Sequence, residues 1–297
     1  MITKFLDNLD QPQLWETFVD NNANVKLNKA KIMTPVVSKH LIKNGYPVHF
    51  PDNKKFAICL THDVDDIYPP PSHRMLSALW SAKRLSLSGI KKHLYSGRKT
   101  SSPYINFKEI IELEKKYNAK STFYFMSTSL DPKRFRYNIE DVQDELKFIN
   151  KRGWEVGLHG GYYSYNDIDA IKREKYRLEK TLGSEVLGYR NHYLKFEIPE
   201  TWEILEKCGF KYDSTCGFTD TIGFCKGMCH PFRPYNKKSG QWMNIYEIPL
   251  NVMESAMFGV VGARKAWELV KKLINQAEQN KGVLTVLWHN NTFNCPH

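Results

Sequence analysis

Seven short apolar, β-rich runs recur along the chain, at residues 56–61, 121–126, 154–159, 186–193, 211–214, 245–250 and 283–289. Helical patterns separate most of them. Between the first two, Asn106 is placed to cap a helix with Glu109 three residues on, and Ile110, Leu113 and Tyr117 follow on one face. Val142, Leu146 and Ile149 repeat at helical spacing before Gly153, and Ile168, Ile171, Leu178 and Leu182 do so before Gly183. Pro199 opens a helix with Trp202 and Leu205 inward and Gly209 at its end. Trp267, Val270, Ile274 and Ala277 mark the last amphipathic stretch. Strand and helix in alternation argue for a parallel sheet covered by helices. The pattern leaves both an open doubly wound sheet and a closed barrel available. No helix pattern follows the seventh run, so the barrel is open there or the chain is truncated. There is no internal repeat.

Two regions fall outside this rhythm. Residues 1–54 read as an N-terminal extension to a main unit at 55–297. Residues 67–103 read as an insert after the first strand, carrying Arg74, Lys83, Arg84, Lys91, Lys92, Arg98 and Lys99. No acidic residue occurs from Ile67 through Lys108, and Leu76, Leu79, Trp80, Leu85, Leu87 and Ile90 interleave with the cations. This basic helical insert is either a lid whose 74–99 stretch meets an anionic glycolipid or membrane surface, or a helical insert with its apolar side packed on the barrel. The second is expected, because basic amphipathic helices are common without membrane contact.

Much of the net charge of +11 is therefore local. It suggests an anionic partner, but no zinc-finger spacing, helix-turn-helix pattern or aromatic RNA-binding signature accompanies it, so no nucleic acid is expected. Residues 1–10 hold no apolar run and no stretch approaches the roughly 20 apolar residues of a membrane span. Four of the six cysteines lie in or beside apolar stretches, which together with the missing leader suits a reducing cytoplasm. The segment Cys225-Lys226-Gly227-Met228-Cys229-His230, with Cys216 nearby, lacks a standard zinc spacing and reads as a loop packed on the barrel between Phe224 and Phe232.

Polar residues with catalytic capability collect at the ends of the runs. His62, Asp63 and Asp65 follow the first, His159 ends the third, Arg190 and His192 the fourth, and His289 the seventh; Asp213 and Glu247 lie in the fifth and sixth. In a parallel barrel those ends form one face, where active sites sit. In extended geometry Asp63 and Asp65 point the same way and His62 the other. Two neighbouring carboxylates repel unless a cation or proton lies between them, so the pair suggests one metal ligand and one general base. Arg190 and His192 share a face, where the first can hold a carboxylate and the second can meet a metal or substrate. His289 can protonate a leaving amine near neutral pH.

Thr61-His62-Asp63-Val64-Asp65, Gly157-Leu158-His159, Gly188-Tyr189-Arg190, Tyr212-Asp213-Ser214-Thr215, Glu247-Ile248-Pro249 and Leu287-Trp288-His289 occur in this order. Together they resemble the ordered motifs of the polysaccharide deacetylases, carbohydrate esterase family 4, from about Phe56 onward. The resemblance implies a distorted (β/α)7 barrel, a divalent metal, usually zinc, and hydrolysis of an N-acetyl group on an amino sugar. Asp63 matches the family's catalytic base, Asp65 its metal-binding acid and His159 its first metal histidine. Arg190 matches the arginine that tethers the base, and His289 the general acid. Tyr163, Asp213 and Trp288 are expected at the substrate.

The family's second metal histidine lies four residues after the first, and here that position is Tyr163. A catalytic zinc normally takes three protein ligands and keeps one position open. His192, which stands where many relatives have proline, is the expected substitute, with His62 a further candidate if the loop bends. The expected substrate is a glycan or glycolipid precursor. The alternatives are a glycan-binding barrel that has lost its metal and a metal-independent amide hydrolase.

Overall fold

The computed structural model describes residues 32–45, 48, 50–83, 85–95, 102–128 and 137–293. Residues 1–31, which hold most of the expected N-terminal extension, lie outside the described residues, as do Arg84, Arg98 and Lys99 of the insert.

Eight strand segments run parallel in one curled sheet: β1 (Ala57–Val64), β2 (Ser121–Met126), β3 (Glu155–Gly160), β4 (Gly188–Asn191), β5 (Tyr212–Asp213), β8 (Tyr246–Glu247), β9 (Leu250–Met253) and β10 (Val283–Leu287). Strands β6 (Tyr235–Asn236) and β7 (Gln241–Trp242) form a separate antiparallel hairpin. The order across the sheet is β8-β5-β4-β3-β2-β1-β10-β9. Its two edge strands are neighbouring parts of one segment, 246–253, interrupted at Ile248 and Pro249. Ile248 N–H donates to the Asp213 carbonyl and Leu250 N–H to that of Cys216, while β9 pairs with β10 on its other side. The sixth expected strand is thus split between the two edges, which brings the sheet round into a distorted β/α barrel rather than an open doubly wound sheet. The seventh, β10, lies between β1 and β9, so the barrel is not open at that point.

Alternation along each strand separates two layers. Phe123, Phe125, Val156, Leu158 and Tyr189 point outward and pack with Ile110, Ile111, Leu146, Ile171, Leu178 and Leu205 of the covering helices. Tyr124 and Tyr212 fill the interior, where their hydroxyls lie 3.4 Å apart and Tyr212 donates to Glu155 Oε1 at 2.8 Å. The rings lie across glycines of adjacent strands, Tyr124 over Gly157 and Tyr212 over Gly188. A Cβ at either glycine would collide with the ring above it.

The covering helices are α4 (Phe107–Lys116), α5 (Gln143–Lys151), α6 (Ile168–Leu182), α7 (Glu200–Lys207) and α8 (Glu254–Gln279). They follow α1 (Val36–Lys43), α2 (Pro71–Lys83) and α3 (Leu87–Tyr95). Helix α6 begins with the Asp167 carboxylate accepting from Asp169 and Ala170 N–H and ends at left-handed Gly183. Gly153 and Gly209 also take positive φ where α5 and α7 stop. Two helical faces differ from expectation. In α4 Leu113 and Tyr117 face solvent and Phe107, Ile110, Ile111 and Glu114 are buried. Asn106 makes no capping bond; its Nδ2 donates to the Asn290 carbonyl instead. In α8 Trp267 is exposed and Ala266, Val270, Leu273 and Ala277 form the buried stripe. Both shifts follow from which neighbour the helix packs on, which periodicity does not specify.

The cysteine-containing loop packs on the barrel, as expected. Cys229 N–H donates to Ser38 Oγ, His230 hydrogen-bonds the Lys281 carbonyl, and the Cys216 and Cys225 sulfurs lie 2.7 Å apart. No described helix is long and apolar enough to cross a membrane.

Candidate active site

Strand β1 continues further than its apolar run, through Thr61, His62 and Asp63 to Val64. This fixes the parity of the first cluster. His62 points outward, its ring nitrogens 3.0 Å from Glu114 Oε1 and 2.8 Å from the Trp288 carbonyl oxygen. It is a core histidine and not the substitute ligand. Asp63 points inward to Arg190, and Asp65 lies just beyond the strand.

Arg190 is fully buried beside the Tyr124 ring, 4.6 Å from its centroid. Its Nε donates to the Ser214 carbonyl (2.8 Å), Nη2 to Ser214 Oγ (2.9 Å), and Nη1 to Thr61 Oγ1 (2.8 Å) and Asp63 Oδ1 (3.0 Å). A guanidinium held at four points presents Asp63 in one orientation, with Oδ2 turned toward His159 Nε2, 3.8 Å away.

Asp65, His159 and His192 converge on one point. His159 Nε2 lies 3.2 Å from Asp65 Oδ1 and 3.1 Å from His192 Nδ1, and His192 Nδ1 lies 3.4 Å from Asp65 Oδ1. These three are the only group of metal-capable donors found among the described residues. His159 Nδ1 stands 3.0 Å from the Arg190 carbonyl oxygen. A carbonyl only accepts, so Nδ1 carries the hydrogen and Nε2 is the nitrogen left for a ligand. Asp65 Oδ1 is buried and makes no hydrogen bond of sound geometry despite the two nearby nitrogens. A triangle with edges of 3.1–3.4 Å matches three corners of a tetrahedron around zinc, whose edges are about 3.3–3.4 Å at metal–ligand distances of about 2.0–2.1 Å. An orphaned carboxylate oxygen facing two ring nitrogens thus fits a divalent cation.

The chain reaches this geometry through strain. After β4 it leaves extended conformation at His192, earlier than the run to residue 193 suggests, and Tyr193 and Leu194 take φ of +58° and +51°. Left-handed backbone at two non-glycine residues beside a converging histidine is the kind of outlier that clusters at functional sites. Across the mouth, the 161–164 turn is fixed by the buried Glu174, which accepts from Gly161 N–H and Ser164 Oγ.

His289 completes the group. Its Nε2 lies 3.7 Å from Asp65 Oδ2, and its Nδ1 donates to Glu254 Oε1 at 2.6 Å. Burial alone would lower its pKa, but the Glu254 hydrogen bond and the Asp65 and Asp63 charges push it up to about 10. Burial also works against charge on Asp65, yet His159 and His192, with His289 behind them, hold its carboxyl well below the usual range. His159 is raised in turn, against its burial, by Asp63 and Asp65.

Of the site residues expected from sequence, Asp63, Asp65, His159, Arg190, His192 and His289 are brought together. Tyr163 is half-exposed and lines a neighbouring polar cleft with Ser127, Gly161, Ser164 and Glu174. Asp213 lies outside the barrel interior, accepting from Thr215 Oγ1 and paired in register with Glu247. Burial and then the Asp213 charge push Glu247 well above the usual carboxyl range, and burial raises Asp213 as well. Trp288 packs edge-on against Phe258 and tilted against Phe293 on the His62 side of β1. Asp213 and Trp288 are therefore turned away from the cluster, because successive side chains alternate between layers. Glu254, Ser214 and Thr61 were missed. Glu254 carried the same signal as the others, a carboxylate just past the end of a strand, but its strand had not been separated from the sixth run.

No family model and no curated protein matches the chain. Among solved structures it is similar to a polysaccharide deacetylase from Mycobacterium smegmatis, at 20% identity and a TM-score of 0.54, covering 82% of this chain and 80% of that one. A CE4 family pseudoenzyme from Bacillus anthracis shares 14% identity at a TM-score of 0.40, over 80% of this chain and 56% of that one. A polysaccharide deacetylase from Bacillus cereus shares 15% at 0.38, over 79% of each. The first likeness carries the conclusion that the fold is the distorted β/α barrel found in that structure.

Proposed function

We propose that the chain is a divalent-metal-dependent hydrolase of the polysaccharide deacetylase type, which removes an N-acetyl group from an amino-sugar glycan or glycolipid precursor. The observation that carries this reading is the convergence of Asp65, His159 and His192 beside an arginine-tethered Asp63 and an acid-paired His289. Asp65, His159 and His192 would hold the ion, and two imidazoles with one carboxylate favour zinc. When bound, the ion supplies Lewis-acid polarisation of the acyl carbonyl.

The protein's own groups handle the protons. Arg190 fixes Asp63 Oδ1, so Oδ2 is the oxygen left to take a proton from the attacking water. His289, held protonated by Glu254, donates to the amine nitrogen as the C–N bond breaks. Acetate leaves with the new C–O bond, and the free amino sugar carries the proton from His289. The site residues lie in, or within two residues of the ends of, β1, β3, β4 and β10 and at the start of α8, so the sheet sets their spacing.

The test is metal content of the purified chain together with acetate release from N-acetylated chitooligosaccharides. Bound metal at near one equivalent, with acetate release that Asp63→Asn reduces at least a hundredfold, is expected. A chain that binds the oligosaccharide yet holds no metal and releases no acetate would be a glycan-binding barrel instead.

A further inference from the structure

The insert between β1 and α4 is turned inside out. Helices α2 and α3 pack against each other as a hairpin, and among the described side chains of α2 the buried ones are Ser77, Ala78 and Ser81. The large apolar residues Met75, Leu76 and Leu79 are 56–61% exposed, and Leu85 and Leu87 at the tip are 92% and 82% exposed. The expected packing of the apolar side on the barrel therefore fails for Leu76, Leu79, Leu85 and Leu87, while Ile90 is half-buried and the Trp80 side chain lies outside the described ones. A water-facing helix buries leucine and exposes serine; here the reverse holds. The helices cross closely at Gly89, where a Cβ would meet Ser81 Oγ and Ser86 Oγ. Small residues thus serve the hairpin's own contact and leave the leucines outside.

The tip adds a second sign. Leu85 takes φ of +55° in the turn between the helices. Glycine or asparagine adopts left-handed backbone more easily, and an exposed leucine there gains nothing from the protein itself. Its side chain is explained by something outside the chain. Charge says what that is. Lys83 and Lys91 are exposed beside the apolar tip, and the sequence from Ile67 to Lys108 contains no acidic residue. Apolar side chains ringed by cations suit an acidic phospholipid surface, with leucines reaching past the headgroups and lysines meeting the phosphates.

The hairpin also stands at the rim of the candidate site. Its first helix begins six residues after Asp65, and its base is closed by Ser102 Oγ donating to the Ile67 carbonyl. Asn290, next to His289, donates to the carbonyls of Asp66 and Tyr104 on the two sides of that base. We infer that the α2–α3 hairpin docks the protein on an anionic bilayer and holds the barrel mouth at that surface. Resting on the function proposed above, this makes the substrate a membrane-anchored amino-sugar glycolipid.

The experiment is vesicle flotation of the full chain with phosphatidylcholine vesicles and with vesicles containing 30 mol% phosphatidylglycerol, about 0.1 M salt keeping the Debye length near 10 Å. At least tenfold stronger recovery with the anionic vesicles is expected, lost in Leu85→Ser/Leu87→Ser and reduced severalfold in Lys83→Glu/Lys91→Glu. Circular dichroism and acetate release from a soluble oligosaccharide should stay unchanged in both variants. Recovery that is equal on the two vesicles, or absent from both, overturns the inference. So does a dimer that disappears in Leu85→Ser/Leu87→Ser without any vesicle binding, which would assign the face to a second copy. Anionic-vesicle binding by a chain that releases no acetate from any oligosaccharide would leave the docking standing and remove the deacetylase reading.

Discussion

His289 Nδ1 donates to Glu254 Oε1 across 2.6 Å, joining the end of β10 to the first residue of α8 in a side-chain pair that is almost wholly buried. The carboxylate is the strongest influence holding the imidazole protonated against its burial, with a pKa of about 10. Glu254 is therefore a positioning residue whose removal should be read in a pH profile.

In Glu254→Gln the burial penalty on His289 is no longer offset by that hydrogen bond to a charge, and the pKa falls from about 10. A general acid must be protonated to donate, so the alkaline limb of kcat/KM should move to lower pH. An alkaline limb that stays in place would remove His289 from the role of acid.

Metal loading should stabilise the fold, because it relieves two ring nitrogens and a carboxylate oxygen crowded within 3.1–3.4 Å. Zinc added to chelator-treated protein at about a hundred times its Kd should contribute about 2.7 kcal/mol, visible as a rise in Tm. His159→Ala and His192→Ala should each abolish most of that shift. A shift retained in His192→Ala would mean that a different group is the third ligand.

Arg190→Lys is not a conservative change here. The guanidinium makes four hydrogen bonds from a fully buried position, and an ammonium cannot reproduce that fork. Leaving a buried acceptor of that fork unsatisfied should cost about 1–3 kcal/mol of stability. In whatever fraction folds, kcat should fall with little change in KM, since Asp63 is misplaced and the substrate contacts remain. Urea denaturation and steady-state kinetics read the two effects separately.

His230 predicts an acid-side loss of stability. Burial lowers its pKa to about 4, so it is neutral in the folded chain, while the unfolded chain takes up a proton near pH 6.5. Its contribution is complete above about pH 6.5 and is lost as pH falls toward 4, by about 3 kcal/mol over that window. His230→Gln keeps a donor for the Lys281 carbonyl and does not titrate. Its Tm should fall less than wild type between pH 7 and 4.5. Parallel Tm curves would show that His230 is not part of the acid transition.

Local sequence was enough for the strand and helix alternation, since periods of 2 and 3.6 are set by each segment's own backbone. It was enough, too, to bring Asp63, Asp65, His159, Arg190, His192 and His289 forward as a group, because polar residues at strand ends share one face whenever the strands are parallel. Neither barrel closure nor partner choice is local. The split of 246–253 between the two sheet edges, the pairing of Glu254 with His289 thirty-five residues away, and the turning of His62 onto Glu114 all depend on which strands become neighbours. The insert makes the same point most sharply. Its composition announces an amphipathic, basic helical pair, but only the crossing of α2 and α3 at Gly89 decides that Ser77 and Ser81 are buried and Leu76, Leu79, Leu85 and Leu87 face outward.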